Sequence, residues 1–304
     1  MPTLKEIKGR ISSVRSTLKI TLAMKLVSSA KLRKAQNAIA AMRPYQEALE
    51  GMMSKVAAGY SDGVFCHSEG SFCHSERSEE SISRKALIAI ASNSSLCGGF
   101  NANVISLVRS IRKEGDIVYS IGRKMAEAMT KDGFPSPADF SSLAEHPAYS
   151  PAAQLVEQLS QDIESGRIGS VTIVYTHFVS TAKQVPVSEV LMVSDHIVEG
   201  EDSIPSAIEK VDAPGTESSP SDVLIEPSKA ELRATLIPKT LKLKLFAALL
   251  DSAAAEHAAR TIAMQTATDN GNQLLDELTL QYNKGRQQKI TNEILDLAGG
   301  QAAQ

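Results

Sequence analysis

Apolar residues recur at helical spacing through the N-terminal part of the chain. Steps of three and four residues alternate along a series formed by Leu4, Ile7, Ile11, Val14 and Leu18. This spacing is the heptad pattern of a coiled-coil seam. Leu22 and Leu26 follow at steps of four, so we expect the seam to drift and the supercoil to loosen there. With Pro44 as its only interior proline, residues 3–58 are predicted to form one helix roughly 80 Å long.

The C-terminal part carries a similar pattern. Steps of four and three residues alternate without a break through Leu241, Leu245, Ala248, Ser252, Ala255, Ala259, Ile262, Thr266, Asp269 and Gln273. Proline favours the first position of a helix, so we expect a helix from Pro238 to about Leu297, near 90 Å long. Two such helices at opposite ends of a chain pair most simply as an antiparallel coiled coil. Small seam residues would let the two backbones approach closely.

Between the two helices the hydrophobic pattern changes to that of alternating strands and helices. Apolar, β-branched runs predict strands at 86–92, 116–122, 170–180, 187–193 and 223–226. Amphipathic stretches predict helices at 102–113, 123–131 and 151–165. The expected fold class is therefore α/β with long helices, in which an antiparallel two-helix coiled coil joins a central Rossmann-like sheet domain. Residues 199–221, rich in Ser, Pro and acidic residues, predict a mobile loop.

These patterns divide the chain into four segments. We expect an N-terminal coiled-coil helix (1–58), a low-complexity repeat insert (59–83), a central α/β domain (84–227) and a C-terminal coiled-coil helix (228–304). In the insert, which includes residues 65–81, the pentapeptide FCHSE occurs twice. Its two Cys-His pairs could supply zinc ligands. Adjacent Cys and His side chains rarely turn toward one ion, so a low-complexity insert is the favoured interpretation.

Composition and charge narrow the function classes. Aromatic residues make up 4% of the chain and Trp is absent, which disfavours a small-molecule enzyme. The net charge of −3 hides a basic N-terminal segment, where residues 1–58 hold 11 Lys and Arg against 3 Asp and Glu. Residues 59–227 hold 12 against 24. No signal peptide or long apolar span is evident, so we expect a cytosolic or peripheral protein.

Candidate chemistry is sparse. Gly98-Gly99 lies in a strand-to-helix loop, where phosphate-binding loops occur, but neither a dinucleotide fingerprint nor a Walker lysine accompanies it. Arg123 and Lys124 follow a second strand-to-helix turn. For both this turn and the Gly98-Gly99 loop, a tight turn is the favoured interpretation. Cys97 lacks a nearby catalytic partner, and the other candidates show no ligand spacing: His146, His177, His196 and His257. We therefore expect no catalytic residues, no cofactor and no metal.

Three separated motifs resemble the gamma subunit of the F-type ATP synthase, the central rotor shaft. They are EIKGRISSVRSTLKITLAMKLVSSAKLRKAQ (6–36), LCGGFN (96–101) and ATDNGNQLLDELTLQYNKGRQQKITNEILDLAGG (267–300). The resemblance implies a noncatalytic coupling subunit, present in one copy per complex, whose partners are the alpha, beta and epsilon subunits and the c-ring. Catalysis would belong to the beta subunits. The location implied is peripheral, on the cytoplasmic face of the bacterial inner membrane.

The resemblance also implies which residues contact partners. On the N-terminal helix they are Met24, Lys25, Lys31, Arg33 and Lys34. On the C-terminal helix they are Arg260, Met264, Asp269, Asn270, Arg286, Gln287, Thr291 and Glu293. The chain departs from the usual pattern at Leu22, at Ser94-Ser95 and at Gly285. Glycine at position 285 would cost about 1 kcal/mol of helix propensity relative to alanine.

Two alternatives remain from the residues themselves. The basic N-terminal helix could bind nucleic acid, although aromatic residues do not interleave with its charges and the central segment is acidic. Alternatively, an α/β enzyme could use the Gly98-Gly99 loop. Salt-dependent affinity for DNA or RNA would identify the first alternative, and nucleotide binding by the central domain would identify the second.

Overall fold

A computed structural model describes residues 3–57, 84–193 and 228–301. The helices are α1 (Leu4–Ala57), α2 (Phe100–Ile111), α3 (Arg123–Lys131), α4 (Ser141–Glu145), α5 (Tyr149–Glu164) and α6 (Lys229–Gln301). The strands are β1 (Lys85–Ile90), β2 (Ile117–Ile121), β3 (Ser170–Phe178) and β4 (Gln184–Val193). The expectations for the repeat at 65–81, the loop at 199–221 and the strand at 223–226 lie outside the described residues.

Helices α1 and α6 pair in antiparallel register. A Cβ atom added at Gly285 would lie 3.2 Å from Leu4 Cδ2, and one added at Gly271 would lie 2.6 Å from Leu18 Cδ2. Further along the pair, the Thr268 hydroxyl lies 3.1 Å from the Thr21 hydroxyl. The predicted coiled coil is confirmed. Gly285, which costs helix propensity, also makes room for Leu4 in the seam.

The prediction that the α1 seam drifts through Leu22 and Leu26 is wrong. Both side chains point outward, with exposed fractions of 48% and 63%. The regular three-and-four spacing instead continues from Leu18 through Thr21 and Lys25 to Ser28, which is only 3% exposed. The heptad is therefore unbroken, because small or polar residues occupy the seam where the leucines were expected.

Helix α6 begins earlier than predicted. It starts at Lys229, after the Ser228 hydroxyl accepts the backbone N–H of Glu231 at 3.2 Å, and Pro238 lies inside it. A proline inside a helix costs about 3 kcal/mol. Burial in this stretch offsets that cost: Leu236 and Leu243 pack into a cluster with Leu49 and Met53 of α1. Pro238 itself lies on the exposed side of the helix.

The predicted α6 seam is correct in its small residues but continues on the wrong face. Ile262 and Asp269 are exposed. The residues that face α1 in the distal half are Met264, Thr268, Gly271, Leu275 and Leu278. The apolar series from 241 onward gave the wrong seam because α6 buries residues on two surfaces. One faces α1, and the other, with Leu245, Ala248 and Leu249, belongs to the core of the sheet domain.

The sheet has the order β2-β1-β3-β4. Strand β1 pairs in parallel with β2 and β3, while β3 and β4 form an antiparallel hairpin. One face of the sheet packs against α2 and α3, and the other packs against α4, α5 and α6. The predicted class, a Rossmann-like sheet domain joined to a coiled coil, is confirmed. Helix α4, which is five residues long, was not predicted.

We expect the Gly271→Leu substitution to lower the free energy of unfolding by about 1–3 kcal/mol, because the added side chain overpacks the seam against Leu18. Chemical denaturation followed by helical circular dichroism measures this change. The matched control is Gly9→Leu, since a Cβ atom added at Gly9 meets nothing within 4 Å. Equal stability of the two variants would contradict the close approach of the helices at Gly271.

Candidate functional site

The tip of the rod is a single helix. Helix α1 begins opposite Gly285, while α6 continues to Gln301, so about 24 Å of α6 extends alone. Residues 286–295 are all exposed. Four of the expected contact residues lie in this segment: Arg286, Gln287, Thr291 and Glu293. The Thr291 hydroxyl donates to the Gln287 carbonyl at 2.9 Å, and Lys289 pairs with Glu293 at 3.6 Å.

The paired part of the rod carries a second set of expected contact residues. Lys31, Arg33 and Lys34 are exposed on α1, and Met24 is 38% exposed. Lys25 is partly buried, because it occupies a seam position.

On α6, Asp269 and Asn270 are exposed. Both carboxylate oxygens of Asp269 accept the Gln265 side-chain amide, at 2.8 and 2.9 Å. These two residues and the basic group of α1 therefore lie on the surface of the rod.

The structure places Arg260 and Met264 inside the chain rather than on its surface. Met264 is 5% exposed. The Arg260 guanidinium pairs with Glu256 at 2.6 Å and donates to the Ser94 hydroxyl at 3.0 Å and the Ser95 carbonyl at 3.5 Å. Arg260 therefore ties the rod to the loop that follows β1. Ser94 and Ser95, noted above as departures from the usual pattern, supply both acceptors.

Two titratable groups lie beside Arg260: Glu256, which is buried, and His257, which is partly buried. Burial raises the pKa of Glu256, an effect that the neighbouring charges of Arg260 and Lys31 oppose. Burial, together with those same two cations, lowers the pKa of His257 to about 4. Among the described residues, His257 Nδ1 has no hydrogen-bond partner. The junction between rod and sheet domain thus holds a neutral imidazole within a cluster of charges.

The loop between β1 and α2 is built around Asn101. Its carboxamide oxygen accepts the Ser92 N–H at 3.1 Å, and its nitrogen lies 3.2 Å from Cys97 Sγ. Cys97 is 1% exposed and packs against Phe100 and Ala255, which is the environment of a core residue rather than of an accessible nucleophile. Leu96 adopts a left-handed φ of 66° and is 57% exposed.

The second turn, after β2, has a structural role. Gly122 has φ 100°, and a Cβ atom there would collide with the Ala91 carbonyl oxygen. Arg123 donates to the Asn93 carbonyl at 3.0 and 3.2 Å, and Lys124 pairs with Glu127 at 2.8 Å. The tight-turn interpretation is confirmed at this position.

Exposed apolar residues are a feature that the sequence pattern did not reveal. On the first half of α1 they are Ile20, Leu22, Met24, Leu26 and Val27. On α6 they are Ile262, Leu274, Leu280, Ile290, Ile294 and Leu295. Extending the strict heptad from Leu18 would have placed the α1 group outside the seam. Large exposed apolar areas on a rod mark surfaces that partners cover.

Two absences concern residues 3–57, 84–193 and 228–301. There, no three His, Cys, Asp or Glu side chains converge as a metal-binding group. Within the same ranges, no helix combines the length and hydrophobicity that crossing a bilayer requires.

The geometry defines a class of protein: a rod-forming interaction subunit, with a sheet domain at one end and a thin single-helix tip at the other. Comparisons with known proteins place it within that class. The profile of the family described as ATP synthase matches residues 3–303. The ATP synthase gamma chain of Phocaeicola vulgatus is 43% identical over 310 residues, covering 100% of both chains. That of Flavobacterium psychrophilum is 40% identical, covering 100% of this chain and 99% of its own.

Solved structures share the fold. A chain of the Euglena gracilis mitochondrial ATP synthase, from a structure of OSCP, F1 and the c-ring, superposes with a TM-score of 0.67 at 17% identity, covering 99% of this chain and 94% of its own. A chain of the Tetrahymena thermophila central stalk and c-ring gives 0.52 at 19%, covering 82% and 99%. The chain belongs to the ATP synthase family, among relatives that are gamma chains. The predicted resemblance is confirmed, and the comparisons lend no support to the nucleic-acid alternative.

The partly buried imidazole of His257 predicts a pH effect on stability. An unfolded His257 takes up a proton near pH 6.5 and the folded one only near pH 4, so between these values the unfolded state binds more protons. This contribution to stability is therefore lost as the pH falls through that window. As the pH is lowered, we expect the wild-type protein to lose stability that the His257→Gln variant keeps. The free energy of unfolding of the variant should rise by on the order of 2 kcal/mol relative to that of the wild-type protein.

Denaturation of both proteins across this pH range measures the difference. The comparison with the variant separates His257 from Glu256, whose raised pKa acts in the opposite direction. The same substitution at the exposed His146 is the control. A wild-type pH profile in His257→Gln would contradict the assignment of this effect to the His257 imidazole.

Proposed function

We propose that the chain is the central rotor shaft of an F-type ATP synthase. In this role it couples rotation, driven by ion flow through the membrane sector, to ATP synthesis and hydrolysis in the ring of alpha and beta subunits. The observation that carries the proposal is the 43% identity to a gamma chain over the full length of both chains, which includes both helices of the rod. The slender tip and the exposed apolar residues of the rod support it.

Coupling by a shaft requires contacts that differ between the catalytic sites. A ligand or partner that binds two states equally shifts no equilibrium between them. A two-helix rod has different residues on each side: Lys31, Arg33 and Lys34 on one helix, and Asp269 and Asn270 on the other. Turning such a rod inside a ring would present each beta subunit with a changing surface.

The expected contact residues act in two ways in this proposal. The exposed ones touch partners directly, and the basic group near Met24 and Lys25 faces an acidic surface of beta. Arg286 and Gln287 at the tip would donate hydrogen bonds to partner carboxylates in only some rotary positions. Arg260 and Met264, being internal, act by holding the rod at a fixed position relative to the sheet domain.

The remaining parts of the proposal concern the assembly. The subunit is present once per complex and is itself noncatalytic, because the beta subunits carry out the chemistry. Its sheet domain docks with the epsilon subunit and the c-ring. It is peripheral, on the cytoplasmic face of the bacterial inner membrane.

Reconstitution tests the assignment. We expect the purified chain to hydrolyse no ATP alone and to join matching alpha and beta subunits as a single copy, with a rise in ATPase activity. Native mass spectrometry and an ATPase assay on the same sample measure stoichiometry and turnover together. A chain that stays apart from a competent ring, or that elutes with nucleic acid, would refute the rotor assignment.

The tip contacts are tested by the double substitution Arg286→Gln and Gln287→Ala. Removing charge-assisted hydrogen bonds that form only in certain rotary positions should lower ion pumping per ATP hydrolysed several-fold while the complex still assembles. Pumping and hydrolysis are measured on the same reconstituted vesicles. Lys284→Gln removes a neighbouring exposed charge and serves as the control. An equal loss in the control would assign the effect to net charge rather than to these two residues.

A further inference from the structure

A small pocket lies where the rod meets the sheet domain, apart from the surfaces just described. Its volume is 210 Å³, and its walls come from three elements: the loop leading into α2, the β3–β4 hairpin, and one side of α6. The residues that define these walls are Gly98, Phe100, Thr176, Pro186, Ala259 and Ala263. The pocket is at the carboxyl ends of the parallel strands β1 and β3, the edge at which open α/β sheets bind ligands.

The first turn of α2 forms one wall. This helix has 12 residues and begins after Gly99, which provides no side-chain cap. The N–H groups of a first helical turn carry the positive end of the helix dipole. Here the Phe100 N–H donates to the Cys97 carbonyl at 3.3 Å, whereas the Gly98 and Gly99 N–H groups have no hydrogen-bond partner among the described residues. Gly98 adopts φ 59° and Gly99 φ −81°. A left-handed residue followed by a right-handed one turns successive N–H groups toward one point.

Thr176 forms the opposite wall and supplies an independent observation. Thr176 is 3% exposed, and its side-chain hydroxyl has no hydrogen-bond partner among the described residues. It follows Val174 on the face of β3 that packs against α2. Leaving a buried hydroxyl unpaired is unfavourable, so a hydrogen-bond partner in the pocket would remove that penalty.

The helix dipole and the hydrogen-bond donors of the walls determine which type of ligand the pocket favours. Every residue that lines the pocket is uncharged. The Gly98 and Gly99 N–H groups at one wall and the Thr176 hydroxyl at the other can donate hydrogen bonds. A cation would meet the positive end of α2, whereas an oxyanion would accept from both walls. Asn103 and Ala182 are exposed at the rim, which leaves a route from solvent.

We propose that this pocket is a binding site for a small oxyanion, phosphate or carboxylate, held between the α2 N-terminus and the Thr176 hydroxyl. The two sources differ in origin: phosphate is free in solution, and a carboxylate belongs to a small metabolite. This site is separate from the proposed rotor contacts, and its test does not depend on them.

The experiment titrates the full chain with sodium phosphate, sodium acetate and, as a reference, sodium chloride. Labelling the cysteine carbonyl and the glycine amide isolates one signal, because Cys97 is the only cysteine followed by glycine in the sequence. That signal is the Gly98 N–H in the pocket wall. We expect a saturable shift with phosphate, acetate or both that chloride does not reproduce.

Three substitutions on β3 test the hydroxyl. Thr176→Val keeps the shape and should weaken the affinity roughly ten- to a hundredfold, while Thr176→Ser restores a hydroxyl and most of the affinity. Thr172→Val makes the same change four residues earlier, outside the pocket, and should bind as the wild-type chain does.

Binding of acetate alone would assign the site to carboxylates, and binding of phosphate alone would assign it to free phosphate. The proposal is overturned if the Gly98 signal responds to chloride in the same way as to phosphate and acetate. It is also overturned if the signal responds to none of the three anions. It is equally overturned if Thr176→Val titrates like the wild-type chain.

Discussion

The close approach of α1 and α6 is the constraint on which the rest of the structure depends. Small residues meet large ones across the seam: Gly285 faces Leu4, and Gly271 faces Leu18. Nearer the sheet domain, Leu32 packs against Ala254 and Ala258. A seam of this kind buries little area per residue, so the pair gains stability through length rather than through bulk. Because the seam side chains are small, the rod also stays thin over most of its length.

A thin rod leaves large apolar side chains outside. Had Leu22 and Leu26 occupied the seam, as the sequence suggested, the helices would stand further apart and fewer large apolar side chains would face outward. Instead Thr21 and Ser28 occupy the seam, and the leucines face outward beside Met24. Burying such residues against a partner returns about 25 cal/mol for each Å² removed from water. The arrangement places that gain between chains rather than within one.

The sequence predicted the fold class, and it predicted α3 to the residue, because strand, glycine and helix signals coincide there. It misplaced the start of α6, since a proline at a helix start and one on the exposed side of a longer helix look alike without knowledge of the packing. Helix α4 is too short to show a period. The convergence of Gly98 with Thr176 could not be foreseen, because sheet pairing brings together residues that are far apart in the chain.

The junction beside Ser94 addresses a weakness of this design. The seam sets the register of α1 against α6, because Gly271 and Gly285 leave room for Leu18 and Leu4, but it does not position the rod on the sheet domain. Glu256 and Arg260, with side-chain exposures of 11% and 12%, form an ion pair within α6, and Arg260 also bonds the β1–α2 loop. A shift of α6 along the sheet would take the buried guanidinium away from its loop acceptors, which is costly in a low-dielectric setting. The charged cluster therefore fixes the attachment of the rod to the sheet, a condition that the apolar seam leaves loose.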